Sequence, residues 1–344
     1  MSELAAAARQ QTAERLAIVG AGSWGTALAI ALSPRFSSVH LWARDPGRAA
    51  AMNRLRENRR YLPAFLLPVS VRVSCDLKAT LEGAQFVILA VPSHSLRFAA
   101  QAMRPHLMRE ATLVSATKGI EEGTLLRMSE VIAQCAPPAC AAHIAVLSGP
   151  TFAKEIAAGE PAAVVVACED PSTSARIQHA FCTPSLRLYA SQDVIGVELG
   201  AALKNVIAIA AGICRGLGLG SNTAAALVTR GLAEITRLAL MMGASPRTLS
   251  GLAGLGDLVL TTTGELSRNR HVGIQLGQGH ALKEVLASMT MIAEGVATCR
   301  AARELGLRNG VDLPIANKMY EVLYESKDPR QALSELMNRP LTHE

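Results

Sequence analysis

Aromatic side chains are scarce in this sequence, twelve in 344 residues, and charged ones make up only 18%. So few rings argue against nucleic acid as the partner, since single strands are held by stacking bases on aromatics set in a basic groove. The net charge of +6 does not restore that reading. The basic residues are scattered, and the densest run, residues 54–60, also holds Glu57 and Asn58. A mild positive bias suits a small anionic metabolite. The seven cysteines include no Cys-x-x-Cys pair, which excludes a disulfide-stapled secreted scaffold and points to a reducing compartment. Cys135, Cys140 and His143 come nearest to a metal cluster, but Pro137 and Pro138 interrupt them and no fourth ligand is near, so no metal is expected. Half the residues are apolar, enough to offset the entropy of folding, and the length corresponds to about two domains at ~150 residues each.

Long uncharged runs are also rare. Residues 16–32 form the one stretch open to confusion with a membrane span or signal core. As a helix it would reach only about 26 Å, short of a hydrocarbon core of ~30 Å, and Gly20, Gly22 and Gly25 would interrupt it. The expectation is a soluble, cytoplasmic protein without integral membrane contact.

What the chain does contain is an alternation of short apolar runs and helix-forming segments. Residues 16–19 form an apolar run that ends in Gly20-Ala21-Gly22-Ser23-Trp24-Gly25, after which residues 26–32 have helical composition. A second run, 39–43, closes at Arg44-Asp45-Pro46, about 20 residues beyond the glycines, the distance at which a Rossmann unit addresses a ribose. In such a unit Gly20 permits the tight turn, Gly22 opens the backbone to a pyrophosphate and Gly25 lets helix and strand pack closely. Further buried strands are expected at 69–73, 86–91, 112–115, 144–147, 162–167 and 186–189. From residue 194 the pattern becomes helical, with segments at 194–213, 222–242, 282–286, 297–305 and 313–324. The predicted fold is an N-terminal α/β Rossmann-type domain with a doubly wound, mostly parallel sheet, followed by an all-α C-terminal domain. Its boundaries are a flexible leader 1–15, the dinucleotide-binding domain 16–195, a helical substrate and catalytic domain 196–335, and a tail 336–344.

Chemistry concentrates at a few positions. Arg44 precedes Asp45 at the end of the second strand. An arginine there can hold a 2′-phosphate and an acidic residue a free 2′-hydroxyl, so the sequence leans to NADPH with NADH also usable. Lys118 follows the 112–115 run and would sit at the carboxyl end of the sheet, where ligands of such folds gather. Ser148-Gly149-Pro150-Thr151-Phe152-Ala153 offers backbone N–H groups to an anion. Lys204 is the only cation within residues 194–211. Desolvated there, it could exchange a proton with a substrate oxygen; alternatively it snorkels to the surface as a structural lysine. Asp257 ends a glycine-rich bend and could orient a substrate hydroxyl or that lysine. Ser267-Arg268-Asn269-Arg270 carries donors suited to phosphate, or is a surface loop. Spacing alone assigns no role to Glu294.

Taken together, these blocks resemble bacterial NAD(P)-dependent glycerol-3-phosphate dehydrogenase. The similarity runs in order through Gly20 to Thr26, Leu89-Ala90-Val91-Pro92-Ser93, Ser115 to Gly119, Leu147 to Ala153, Glu198 to Val206, Gly251 to Leu260 and Ser267 to Arg270. The resemblance implies cofactor contacts at Ser23, Trp24, Arg44, Lys118, Ala153, Arg268, Ile292 and Glu294, beside the glycines. It implies contacts to sn-glycerol 3-phosphate at Lys118, Gly149, Thr151, Lys204, Asp257, Ser267, Arg268 and Asn269. Lys204 would be the proton acceptor in the oxidative direction, with Lys118 and Asp257 as its catalytic companions. The implied reaction is reversible reduction of dihydroxyacetone phosphate, supplying glycerol 3-phosphate for phospholipid synthesis. A homodimer is an assembly this reading leaves open. Two other readings compete: a β-hydroxyacid-type dehydrogenase acting on a carboxylate, and a nucleotide-sensing protein without turnover.

Overall fold

The computed structural model describes residues 12–289 and 291–340, with side chains from residue 14. Residues 1–11 of the expected leader and 341–344 of the expected tail lie outside the described residues. The chain divides into two compact units, Met1–Lys118 with Leu126–Val197, and Gly119–Leu125 with Glu198–Glu344.

The first unit alternates strands and helices: β1 (Thr12–Val19), α1 (Ser23–Leu32), β2 (Phe36–Trp42), α2 (Pro46–Leu55), β3 (Glu57–Asn58), β4 (Leu62–Leu66), β5 (Val71–Ser74), α3 (Leu77–Leu81), β6 (Phe86–Leu89), α4 (Ser93–Met103), β7 (Thr112–Ser115), α5 (Met128–Cys135), β8 (Ile144–Ser148), α6 (Ala153–Ala158), β9 (Ala162–Ala167), α7 (Pro171–Phe181) and β10 (Leu186–Ser191). Eight strands form one sheet in the order β10-β9-β8-β7-β6-β1-β2-β5, parallel throughout except for the antiparallel pair β8–β9. The apolar runs are continuous because both faces are covered. Successive residues of β1 and β6 point alternately into two cores: Leu16, Ile18, Phe86 and Ile88 on one side, Ala17, Val19, Val87 and Leu89 on the other. Phe36, Phe86 and Phe181 meet edge to face at 5.4–5.8 Å in the first of these.

One feature departs from the sequence reading. Strand β1 begins at Thr12, inside the segment expected to be a leader, because its polar start still pairs through the backbone with Phe36 and Ser38 of β2. In the basic stretch near residue 57, β3 and β4 make a small antiparallel hairpin, closed where the Arg56 guanidinium donates to the carbonyls of Leu67, Pro68 and Val71.

α8 (Val194–Gly216) leads into the second unit, which holds α9 (Ser221–Met241), the single turn α10 (Pro246–Leu249), α11 (Asp257–Thr263), α12 (Arg268–Gly277), α13 (Leu282–Ser288), α14 (Glu294–Arg308), α15 (Pro314–Tyr324) and α16 (Pro329–Met337). Among the described residues it contains no strand, as expected. Of the described helices only α8 is long and apolar enough to cross a membrane, and 94% of its apolar window is buried within the protein. The supposed bend at 251–257 is a π-helical turn, Leu252–Gly256, that runs directly into α11.

Candidate active site

In the first unit, the loop between β1 and α1 is shaped by its glycines. Gly20 has φ +121° and lies so close to Ala90 that a Cβ would come within 2.5 Å of its carbonyl oxygen. At Gly22 an added Cβ would meet nothing within 4 Å, so the backbone faces open space there. Gly22 is also the N-cap of α1 and no side chain caps that helix. The first N–H groups of a ten-residue helix therefore address that space, with the positive end of its dipole behind them. Ser23 and Trp24 open the helix half-buried, and the Trp24 indole Nε1 is buried without a hydrogen-bond partner. An uncapped helix start, a side-chain-free approach and an orphaned indole donor together fit the pyrophosphate of a dinucleotide.

Arg44 is exposed just past the end of β2. Asp45 caps α2 instead of standing ready for a ribose: its carboxylate accepts from the Arg48 backbone N–H at 2.6 Å. At the carboxyl ends of β7 and β8, Lys118 Nζ donates to the Gly149 carbonyl at 3.2 Å, and Thr151 Oγ1 donates to the same oxygen at 3.2 Å. Three of the anticipated ligand residues thus converge on one carbonyl. Ala153, half-buried, begins α6 just beyond them.

The second unit holds the buried lysine. Lys204, in the middle of α8, is 4% exposed, and its Nζ donates to Asp257 Oδ1 at 2.5 Å and to Thr261 Oγ1 at 2.6 Å. Asp257 is fully buried, and Thr261 passes its own hydrogen to the Asp257 backbone carbonyl at 2.6 Å. The lysine therefore does not snorkel: an anion and a hydroxyl compensate its burial. Thr261 was missed in the sequence, although a residue four positions beyond Asp257 shares its helix face.

A second group gathers beside it. Ser267 is the N-cap of α12 and accepts from the Arg270 N–H at 3.2 Å. The Ser-Arg-Asn-Arg motif is thus a helix start, not a surface loop. Exposed Arg268 donates from Nη1 to the Ile292 carbonyl at 2.8 Å and feels the charge of Glu294, the half-buried first residue of α14. What engages Ile292 here is its carbonyl, which explains why its aliphatic side chain gave no chemical clue. Buried Asn269 accepts the Gly295 N–H at 2.9 Å. Gly295 joins the two groups, since a Cβ there would lie 2.6 Å from the carbonyl of Asn205, the neighbour of Lys204. Among the described residues no three His, Cys, Asp or Glu side chains cluster as a metal site.

Comparison with known proteins shows the family. The sequence model for the NAD-dependent glycerol-3-phosphate dehydrogenase N-terminus matches residues 15–174, and that for the C-terminus matches residues 193–334. The glycerol-3-phosphate dehydrogenase [NAD(P)+] of Koribacter versatilis is 50% identical over 332 residues, covering 96% of this chain and 98% of its own. That of Myxococcus xanthus is 49% identical over 325 residues, covering 94% and 97%. The crystal structure of glycerol-3-phosphate dehydrogenase from Coxiella burnetii superimposes with a TM-score of 0.89 at 39% identity, covering 95% of this chain and 99% of that one. The chain belongs to the NAD-dependent glycerol-3-phosphate dehydrogenase family, oxidoreductases that use NAD or NADP.

Proposed function

We propose that the protein reduces dihydroxyacetone phosphate reversibly to sn-glycerol 3-phosphate, with Lys204 as the proton-transfer group. The observation that carries this reading is the buried Lys204 amine held by Asp257 and Thr261. A nicotinamide cofactor, when bound, would supply the hydride for C2 of the ketone. As negative charge develops on the C2 oxygen, the Lys204 ammonium donates a proton to it; in the oxidative direction neutral lysine takes that proton from the hydroxyl. Asp257 holds the amine in place and stabilises its cationic form. Ser267, Arg268 and Asn269 would grip the phosphate, whose binding energy orients a substrate of only three carbons. The family resemblance also assigns Lys118, Gly149 and Thr151 to substrate contact.

For the cofactor, the first turn of α1 with Ser23 and Trp24 would take the pyrophosphate. Arg44 would take the adenosine end, with Lys118, Ala153, Arg268, Ile292 and Glu294 as further contacts. Because the Asp45 carboxylate is committed to a helix cap, the free guanidinium of an exposed arginine favours NADPH, with NADH also accepted. In this reading the enzyme is cytoplasmic and supplies glycerol 3-phosphate to phospholipid synthesis. Loss of the nicotinamide absorbance with dihydroxyacetone phosphate, and none with a 2-keto acid, is the expected result of a direct assay. Turnover of the keto acid alone, or cofactor binding without turnover of either, rejects the proposal.

A further inference from the structure

The β3–β4 hairpin holds none of the residues assigned above to a ligand, yet its Asn58 reaches the glycine loop. Asn58 is 1% exposed. Its Nδ2 donates to the Ala21 carbonyl at 3.1 Å and to Thr26 Oγ1 at 2.8 Å. Fully buried Thr26 relays the contact, its hydroxyl donating to the Gly22 carbonyl at 2.7 Å. On the other side of the amide, Oδ1 accepts from the Tyr61 backbone N–H at 3.4 Å. These partners fix which end of the amide is nitrogen, because a carbonyl can only accept and a backbone N–H can only donate.

In a trans peptide the carbonyl and the following N–H point in opposite directions. Holding the Ala21 carbonyl toward Asn58 turns the Gly22 N–H away from it, and holding the Gly22 carbonyl through Thr26 does the same for the Ser23 N–H. Those two donors stand at the start of α1, where Gly22 leaves the approach open. An anion arriving there would meet hydrogen-bond donors already aimed, without the cost of ordering them on binding.

We propose that Asn58 is a positioning residue for the dinucleotide, acting through Ala21 and Thr26 without touching the cofactor. The inference rests on the assignment of the glycine loop to the cofactor pyrophosphate. Since that group is common to both nicotinamide dinucleotides, the effect is the same for NADPH and NADH and does not extend to the ketone.

Asn58→Asp keeps the shape and replaces the donor with an acceptor facing a carbonyl. In the purified full-length protein, titrated through nicotinamide fluorescence, the dissociation constants for NADPH and NADH should both rise about tenfold or more. The KM for dihydroxyacetone phosphate and kcat at saturating cofactor should stay within about twofold. Thr26→Val should weaken both dinucleotides in the same way, Thr26→Ser should restore them, and the combined Asn58→Asp, Thr26→Val variant should lose less than the two effects added. Cofactor constants equal to wild type in Asn58→Asp, even beside a lowered melting temperature, overturn the proposal. If that variant does not fold, unchanged cofactor binding in Thr26→Val overturns it instead. Gly22→Val separates the two levels: undiminished NADPH binding there removes the loop itself from the cofactor site. Lost binding in Gly22→Val beside normal binding in Asn58→Asp rejects the role of Asn58 alone.

Discussion

A lysine ammonium 4% exposed is tolerated because a carboxylate and a hydroxyl meet it at 2.5 and 2.6 Å. The same two contacts leave the amine little freedom to wander, which proton transfer to a defined oxygen requires. Lys204→Ala should therefore keep cofactor binding and lower kcat by roughly 10²–10⁴-fold, the usual contribution of a positioned acid or base. Steady-state kinetics with saturating NADPH, beside a binding titration, checks this, and near-normal turnover would remove the lysine from the chemistry. Arg44 invites a different comparison. Its exposure and the commitment of Asp45 to the α2 cap predict that Arg44→Ala raises the KM for NADPH about tenfold and leaves that for NADH nearly unchanged. Equal effects on the two cofactors would mean that Arg44 does not read the 2′-phosphate.

Helix α12 carries Arg268 and Asn269 at its start, and its height over α8 is set by glycines four residues apart on both helices. A Cβ at Gly273 would lie 2.0 Å from the Ile209 carbonyl, and one at Gly212 would lie 2.1 Å from the Arg270 carbonyl. Any side chain at this crossing forces the helices apart. Gly273→Ala should cost about 1–3 kcal/mol of stability from overpacking and raise the KM for dihydroxyacetone phosphate more than that for NADPH. Urea unfolding with kinetics of both substrates tests it; an unchanged ketone KM in a destabilised variant would mean that the phosphate grip does not depend on this crossing. The same helix shows where the sequence was legible and where it was not. Strands β7 and β9 were bounded correctly because short, mostly apolar runs announce themselves locally. Arg268-Asn269-Arg270 carries no apolar period at its start, and it is the packing against α8 and the Gly295 N–H donated to Asn269 that make it a helix start with Asn269 buried. Asn58 was hidden for the same reason: its polar setting in a basic run says nothing about a carbonyl 37 residues away. Lys204, by contrast, stood out as a lone charge in an apolar helix, and Asp257 through the glycines before it.

Over the whole molecule, buried Glu234 and half-buried His40 titrate against each other between pH 4 and 7. Glu234 of α9 accepts from the N–H groups of Ile315 and Ala316 at the start of α15, where no other side-chain cap is present. Burial nevertheless dominates and pushes its carboxyl up to about 7, with the nearby charges of Arg237 and Asp312 acting in opposite senses. The folded state thus prefers the protonated acid, so this contribution to stability is complete below the unfolded value near 4.5 and is lost as the pH rises through 7. His40 in β2 runs the other way. Burial, then the charges of Arg15 and Arg72, depress it to about 4, and its Nδ1 lies 2.9 Å from an Arg15 guanidinium nitrogen, so that it accepts. Its contribution is complete above 6.5 and is lost as the pH falls through 4. The two losses oppose each other over the same interval, which predicts a weak pH dependence for the wild-type protein there. Glu234→Gln keeps an oxygen for Ile315 and removes the titration. Relative to wild type, the variant should gain on the order of 3 kcal/mol between pH 5 and pH 8. Apparent melting temperatures of both proteins at the two pH values should show the gap shifting by several degrees in favour of the variant at pH 8. A gap that stays constant would mean that Glu234 is ionised in the folded protein throughout, with the start of α15 stabilising its charge more than burial destabilises it.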